Sequence, residues 1–307
     1  MMKYTIKHRT WYAYAEAAPV CHNMLHLAPR DTSRQVCSEY RLRIVPEPAF
    51  ITRRTDWFGN FVDYFSIEGS HNGLEVTSQS VVQVSPTPKL TPSDSLPWEG
   101  VVRLSTPEAT AADLTIYQLT LRSPRVRPSA QLRDYAFPSF AAGRPVLEAI
   151  VDLTARIHRD FEFDSKATTV HTPLEHLLKI RRGVCQDFAH LAIGCVRSMG
   201  LSGRYVSGYL RTVPPPGKPR MVGADASHAW ASVHCGPLGW IDFDPTNNAL
   251  IGESHVSIAW GRDYSDVCPI QGVFVGGGDH TMGVSVDVVP QVERGNGQSQ
   301  SQSQSQL

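Results

Sequence analysis

An α+β fold in two parts is predicted for this 307-residue chain by three observations. Residues 3–85 carry short runs of β-branched, aromatic and alternating residues broken by turn residues, the pattern of an antiparallel, sandwich-like β domain. From Pro145 to Gly200 the apolar residues follow a helical period instead. Strand patterns then return over 204–244, and helices followed by antiparallel strands make an α+β unit.

Taken in order, Tyr4–Tyr14 is rich in β-branched and aromatic residues, and Tyr40–Val45 alternates until Pro46 stops it. The run Asp56-Trp57-Phe58-Gly59-Asn60 supplies a turn before Phe61–Ile67, and Asn72-Gly73 predicts a hairpin before Leu74–Val84. Proline recurs at Pro86, Pro88, Pro92 and Pro97 among Ser, Thr and Asp, which reads as a linker. Residues 98–142 show no clear period, and Leu114–Leu121 is open to either helix or strand.

Pro145 fits a first helical position, followed by Val146, Leu147, Ile150, Leu153, Thr154 and Ile157 on one face. Thr172 as N-cap, then Pro173 and Glu175, predict a helix that ends at Gly183. A third helix runs from Cys185 to Met199, with Ala189, Ala192, Ile193 and Val196 inward, and stops at Gly200. Three strands follow: Arg204–Leu210, His228–Cys235 and Trp240–Asp244, the first two separated by a proline-rich loop at Pro214–Gly217. Residues 251–290 read as further strands, and the Ser-Gln alternation after Gly295 as a disordered tail. The resulting division is 1–85, N-terminal β domain; 86–142, linker and connecting region; 143–250, core; 251–290, C-terminal strands; 291–307, tail.

Composition narrows the function. The chain is 41% hydrophobic and 19% charged with zero formal net charge, so no electrostatic field draws it to nucleic acid or an anionic membrane. The short run Lys179-Ile180-Arg181-Arg182 fits the last turn of a helix, where cations complement the dipole. No stretch approaches the ~18 apolar residues of a membrane span. The first residues carry no apolar signal region, and a cytoplasmic protein is expected. The six cysteines, with no C-x-x-C pair, read as thiols rather than as a disulfide framework or a zinc site.

Of those thiols, Cys185 stands apart. It follows Gly183-Val184 and opens an apolar helix, where first-turn N–H groups and the positive dipole end lower the pKa of a thiol whose ordinary value is ~8.5. The same N–H groups suit the oxyanion of a tetrahedral intermediate. Downstream come Ser227-His228-Ala229-Trp230 and then Gly239-Trp240-Ile241-Asp242-Phe243-Asp244-Pro245-Thr246. Nucleophile, base and orienting carboxylate in that order are the parts of acyl transfer through a thioester. Cys195 lies mid-helix and reads as a buried small hydrophobe. Asp242 and Asp244 share a strand face, and a period of two does not choose between them. A metal site of His228, His234 and Cys235 is disfavoured, because Cys235 points away from the other two.

These segments resemble the transglutaminase-like superfamily. Gly183-Val184-Cys185 with Asp187-Phe188-Ala189, His228-Ala229-Trp230, and Trp240 to Asp244-Pro245-Thr246 fit its papain-like core. His8, Thr10, Tyr12, Tyr14, Pro19-Val20 and the Asp56–Asn60 turn are similar to the β module that precedes this core in bacterial members. The resemblance implies Cys185 as nucleophile, His228 as base and Asp244 as orienting acid, with no metal and no cofactor. It implies action on amide or isopeptide bonds of a peptide or protein substrate, as a cysteine protease or amidase. The competing readings are a protein-glutamine amine transferase and a non-catalytic peptide-binding protein.

Overall fold

The computed structural model describes residues 1–105, 111–212 and 226–291. Its first unit is built on two very long strands, β1 (Met2–Leu25) and β4 (Phe61–Val84), which pair antiparallel along their length. Tyr4, Ile6, His8 and Thr10 are buried while Lys3, Thr5, Lys7 and Arg9 are exposed, the period-two alternation that fixes register. Between β1 and β4 in sequence come β2 (Gln35–Val45) and β3 (Phe50–Thr55), which pair with opposite halves of β4. The turn from β3 into β4 is where the sequence puts it. Asp56 Oδ1 accepts from the N–H groups of Phe58 and Asn60, both at 2.8 Å, and Gly59 takes φ 74°.

Asn72-Gly73 is not a turn. It lies inside β4, with Gly73 opposite Ala13 just before β1 loses register between Ala13 and Ala18. A Cβ at Gly73 would sit 2.8 Å from the Tyr12 carbonyl oxygen, so glycine serves close backbone approach there. Ile44 and Val76 from one half of the sheet meet Leu25, Phe65 and Ile67 from the other in one apolar cluster, and the strands of this unit form one six-stranded antiparallel sheet.

The segment without clear period is helical: α1 (Trp98–Leu104), α2 (Ala111–Tyr117) and α3 (Ala130–Ala136). The core adds α4 (Val146–Asp160), β5 (Glu162–Phe163), α5 (Leu174–Ile180), β6 (Arg182–Gly183) and α6 (Cys185–Ser198). Strands β7 (Gly203–Leu210), β8 (Ala226–His234), β9 (Trp240–Asp244), β10 (Ala249–Leu250) and β11 (His255–Gly261) form a sheet in the order β10-β9-β8-β7-β11. Helix α6 packs on this sheet through Ala189, Ala192, Ile193 and Val196, all fully buried.

Two helix ends differ from the sequence expectation. Thr172 does not cap α5; its hydroxyl accepts from the Thr169 N–H, and the helix begins after Pro173. The helix ends at Arg181, in the left-handed region at φ 55°, two residues before Gly183. Gly183 instead pairs with Phe163, and a Cβ there would lie 2.7 Å from Asp187 Oδ2 and 2.9 Å from Leu177 Cδ1. The Pro214–Gly217 loop and the Ser-Gln tail lie outside the described residues.

After α7 (Tyr264–Val267) the chain returns to the first unit. Strands β12 (Ile270–Val275) and β13 (His280–Pro290) run end to end along β1, on the side away from β4. Of the stretch 251–290 expected to form C-terminal strands, His255–Gly261 joins the core sheet, Tyr264–Val267 is helical, and β12 and β13 complete the N-terminal sheet. Two side-chain amides join that sheet to β11. Gln35 bonds the N–H and carbonyl of Ser257, and Asn60 those of Trp260, at 2.8–2.9 Å. Among the described residues, no helix is long and apolar enough to cross a membrane.

Gly208 on β7 is another enforced glycine, because an added Cβ would overlap the Val256 carbonyl oxygen and the Trp230 indole. Gly208→Ala is expected to cost at least about 1–3 kcal/mol. Chemical denaturation reads this directly, and an unchanged midpoint would mean that β7, β11 and Trp230 are not packed this closely.

Candidate active site

Helix α6 starts at the thiol because its first turn is pinned from within. Asp187 Oδ2 accepts from the Val184 N–H at 2.8 Å and from the Thr168 hydroxyl at 2.6 Å. The bare α-carbon of Gly183 leaves room for that carboxylate. The first-turn N–H groups of α6, that of Cys185 included, have no intrahelical acceptor. Cys185 is half-buried at this end.

His228 lies on β8, opposite Gly208 on β7. Its Nε2–H donates to Asp244 Oδ2 at 2.7 Å, which leaves Nδ1 as the nitrogen for its other hydrogen-bond partner, Cys185. Burial pulls the His228 pKa down, but the hydrogen bonds to Asp244 and Cys185 outweigh it and raise the value to about 9. The imidazolium form of His228 is thereby favoured.

Asp244 ends β9 with its side chain fully buried. Burial alone would raise its pKa; the donors His228, His255 and Asn247 hold it far below the usual carboxylate range. Oδ2 accepts from His228 Nε2, Asn247 Nδ2 at 2.7 Å and His255 Nε2 at 3.2 Å. Oδ1 accepts from the N–H groups of Thr246 and Asn247 at 2.9 and 3.2 Å. Asp242 faces the same side but is taken elsewhere: Trp230 Nε1–H donates to its Oδ2 at 3.0 Å, and Arg204 is 4.0 Å from Oδ1.

The structure therefore brings Cys185, His228 and Asp244 together. It adds two residues that sequence reasoning missed. Asn247 follows Asp244 by three in a turn, a spacing that aspartate-led turns allow. His255 comes from β11, and no local pattern links it to Asp244. Its Nδ1 accepts from the Gly252 N–H at 3.4 Å, so Nε2 carries the proton given to Asp244.

The ligand atoms of His228, Asp244 and His255 lie within 4.8 Å of one another. Each is already spent on a hydrogen bond, so the trio reads as a clamp on the carboxylate. His234 packs on Trp240, with ring centroids 5.4 Å apart, and Cys235 Sγ turns to the Val233 carbonyl, so neither joins His228.

Cys185 and His228 open onto a cleft of about 460 Å³ between the core and the N-terminal sheet. Thr10 and Tyr12 of β1 and Met282 and Val284 of β13 form its far wall. Among the described residues lining it there is no Asp, Glu, Lys or Arg. Burial pushes the Cys195 and Cys235 thiols up to about 12, and raises those of Cys21 and Cys37. Limiting iodoacetamide at neutral pH is expected to label Cys185 first, read by peptide mass spectrometry. Equal labelling of Cys185 and Cys268 would remove the ground for treating Cys185 as special.

Residues 4–83 match the bacterial transglutaminase-like N-terminal region, and residues 133–245 match the transglutaminase-like superfamily core. An uncharacterised protein of Mycobacterium tuberculosis is 42% identical over 296 residues, covering 94% of this chain and 93% of its own. One from Mycobacterium leprae is 32% identical over 292 residues, covering 94% and 99%. In fold, the chain is similar to a candidate cysteine protease from Cytophaga hutchinsonii. The TM-score is 0.73 at 20% identity, over 94% of this chain and 90% of that one.

Proposed function

The chain belongs to the transglutaminase-like superfamily, and from that membership and the site geometry we propose that it is a cysteine hydrolase of amide or isopeptide bonds. The observation that carries this reading is the alignment of Asp244 Oδ2, His228 and Cys185, with the 2.7 Å bond setting the histidine tautomer. In this role the Cys185 thiolate adds to the substrate carbonyl carbon, and the carbonyl electron pair moves to oxygen. The N–H of Cys185 donates to that oxyanion. Collapse breaks the C–N bond as the His228 imidazolium gives its proton to the departing amine, leaving a thioester on Cys185. Water, deprotonated by His228, then attacks the thioester and releases the acid.

A largely apolar cleft with no Asp, Glu, Lys or Arg among its described lining residues suits a neutral segment of a peptide or protein. Six free thiols are in keeping with a reducing cytoplasm as the place of work. The test is incubation with a peptide library, with and without a primary amine, followed by mass spectrometry of products and of Cys185. Free acid in both arms is the expected result. An amine adduct formed in preference to acid would make the protein a transferase, and no acylation of Cys185 in either arm would leave only a binding role.

A further inference from the structure

Tyr205 is a buried polar residue that the reaction as described does not use. It sits on β7 between small neighbours, paired with Ala231 of β8 and Gly261 of β11, which leaves its ring room under α6. The ring is held by His190 from α6, at 4.9 Å between centroids, and edge-on by Tyr264 at 6.2 Å. His190 is itself anchored, its Nε2 accepting from the Tyr264 N–H at 3.1 Å. Tyr205 is 2% exposed and lines the same cleft as Cys185. Its hydroxyl makes no hydrogen bond among the described residues and is not one of the fully buried unpartnered oxygens, so it is open to the cleft. A hydroxyl fixed by its ring contacts, on the wall of the cleft that holds Cys185 and without a protein acceptor, can donate to an acceptor that the substrate brings.

We propose that the Tyr205 hydroxyl is the second donor to the oxyanion, completing with the Cys185 N–H the site that receives the substrate carbonyl oxygen. The proposal rests on the hydrolase reading above. No proton is transferred: the phenol donates a hydrogen bond as the carbonyl π pair moves onto oxygen and the C–S bond forms, and relaxes when the C–N bond breaks. Burial, with Cys185 and Tyr264 nearby, holds the phenol well above its ordinary value, so it stays a donor throughout the working pH range. Ring packing fixes the hydroxyl before substrate arrives, which is the condition for strong electrostatic stabilisation.

The test is Tyr205→Phe, which removes one oxygen and keeps every ring contact, so the thermal midpoint should match wild type. On a cleaved peptide, kcat is expected to fall about 10²–10³-fold with KM little changed. Alkylation of Cys185 by iodoacetamide should proceed at the wild-type rate, since displacement of iodide creates no oxyanion. A peptide aldehyde, whose adduct with Cys185 places an oxygen at the same point, should bind more weakly by a similar factor.

Unchanged kcat and unchanged aldehyde affinity would overturn the assignment. So would an equal loss in alkylation, which would mean that Tyr205 acts on the thiol itself. If wild type cleaves no amide, the hydrolase reading fails, while the aldehyde comparison still decides the role of Tyr205.

Discussion

Cys185→Ala is expected to remove amide turnover altogether while leaving the fold and its stability nearly unchanged. Deleting the nucleophile of a comparable triad enzyme costs on the order of 10⁶-fold in kcat, so the variant should run at background. Stability should hold because the thiol is half-buried at a helix start, and that start is fixed by Asp187, Thr168 and Gly183 rather than by sulfur. Cys195→Ala is the matched control. Cys195 is fully buried among the apolar residues between α6 and its neighbours, so its loss should cost on the order of 1 kcal/mol and spare the rate. Rates on a cleaved peptide and thermal midpoints for the two variants decide the matter. A reversed pattern would mean that Cys195 and Cys185 have exchanged roles.

What was legible in the sequence was local. A glycine two residues before Cys185, a histidine at a strand start and an aspartate before Pro245 each carry their chemistry in neighbouring residues. Their convergence follows from one helix packed on one sheet. The choice between Asp242 and Asp244 was not local. A strand period places them on one face, and what separates them is a strand away: the Trp230 indole occupies Asp242, while the turn at Thr246-Asn247 and the imidazoles of His228 and His255 occupy Asp244.

The same limit explains Asn72-Gly73. Glycine there answers a backbone across the sheet, and a dipeptide does not distinguish that need from a hairpin's. Nor does alternation name a strand's partner, so nothing in residues 270–290 says that they close the N-terminal sheet. That closure matters for chemistry, since β1 and β13 supply the far wall of the cleft. The first unit thus forms part of the cleft onto which Cys185 and His228 open, and Gln35 and Asn60 tie it to β11.

Asp244→Asn is expected to reduce kcat by up to ~10⁴-fold, the scale for losing an orienting carboxylate, and far more than Asp242→Asn. All five hydrogen bonds at Asp244 come from donors. An amide NH₂ placed on either side points a donor at other donors, so the side chain cannot fit without breaking contacts, and His228 loses its hold on the thiol-accepting tautomer. At Asp242 an amide oxygen can still accept from Trp230.

The two variants should also differ with pH. In the wild type the His228 pKa is raised to about 9, so the stability this contributes is whole below the ordinary histidine value of ~6.5 and is lost as pH climbs through about 9. The lowered pKa of Asp244 contributes stability above ~3.9 that is lost on acidification. Without the carboxylate, burial dominates and the His228 value drops. The gap in thermal midpoint between wild type and Asp244→Asn should therefore narrow from pH 6 to pH 9.5, and the alkaline limb of kcat/KM, near 9 in wild type, should shift to lower pH. Asp242→Asn should keep the wild-type limb. A greater loss and a moved limb at Asp242 instead would transfer the orienting role to that residue.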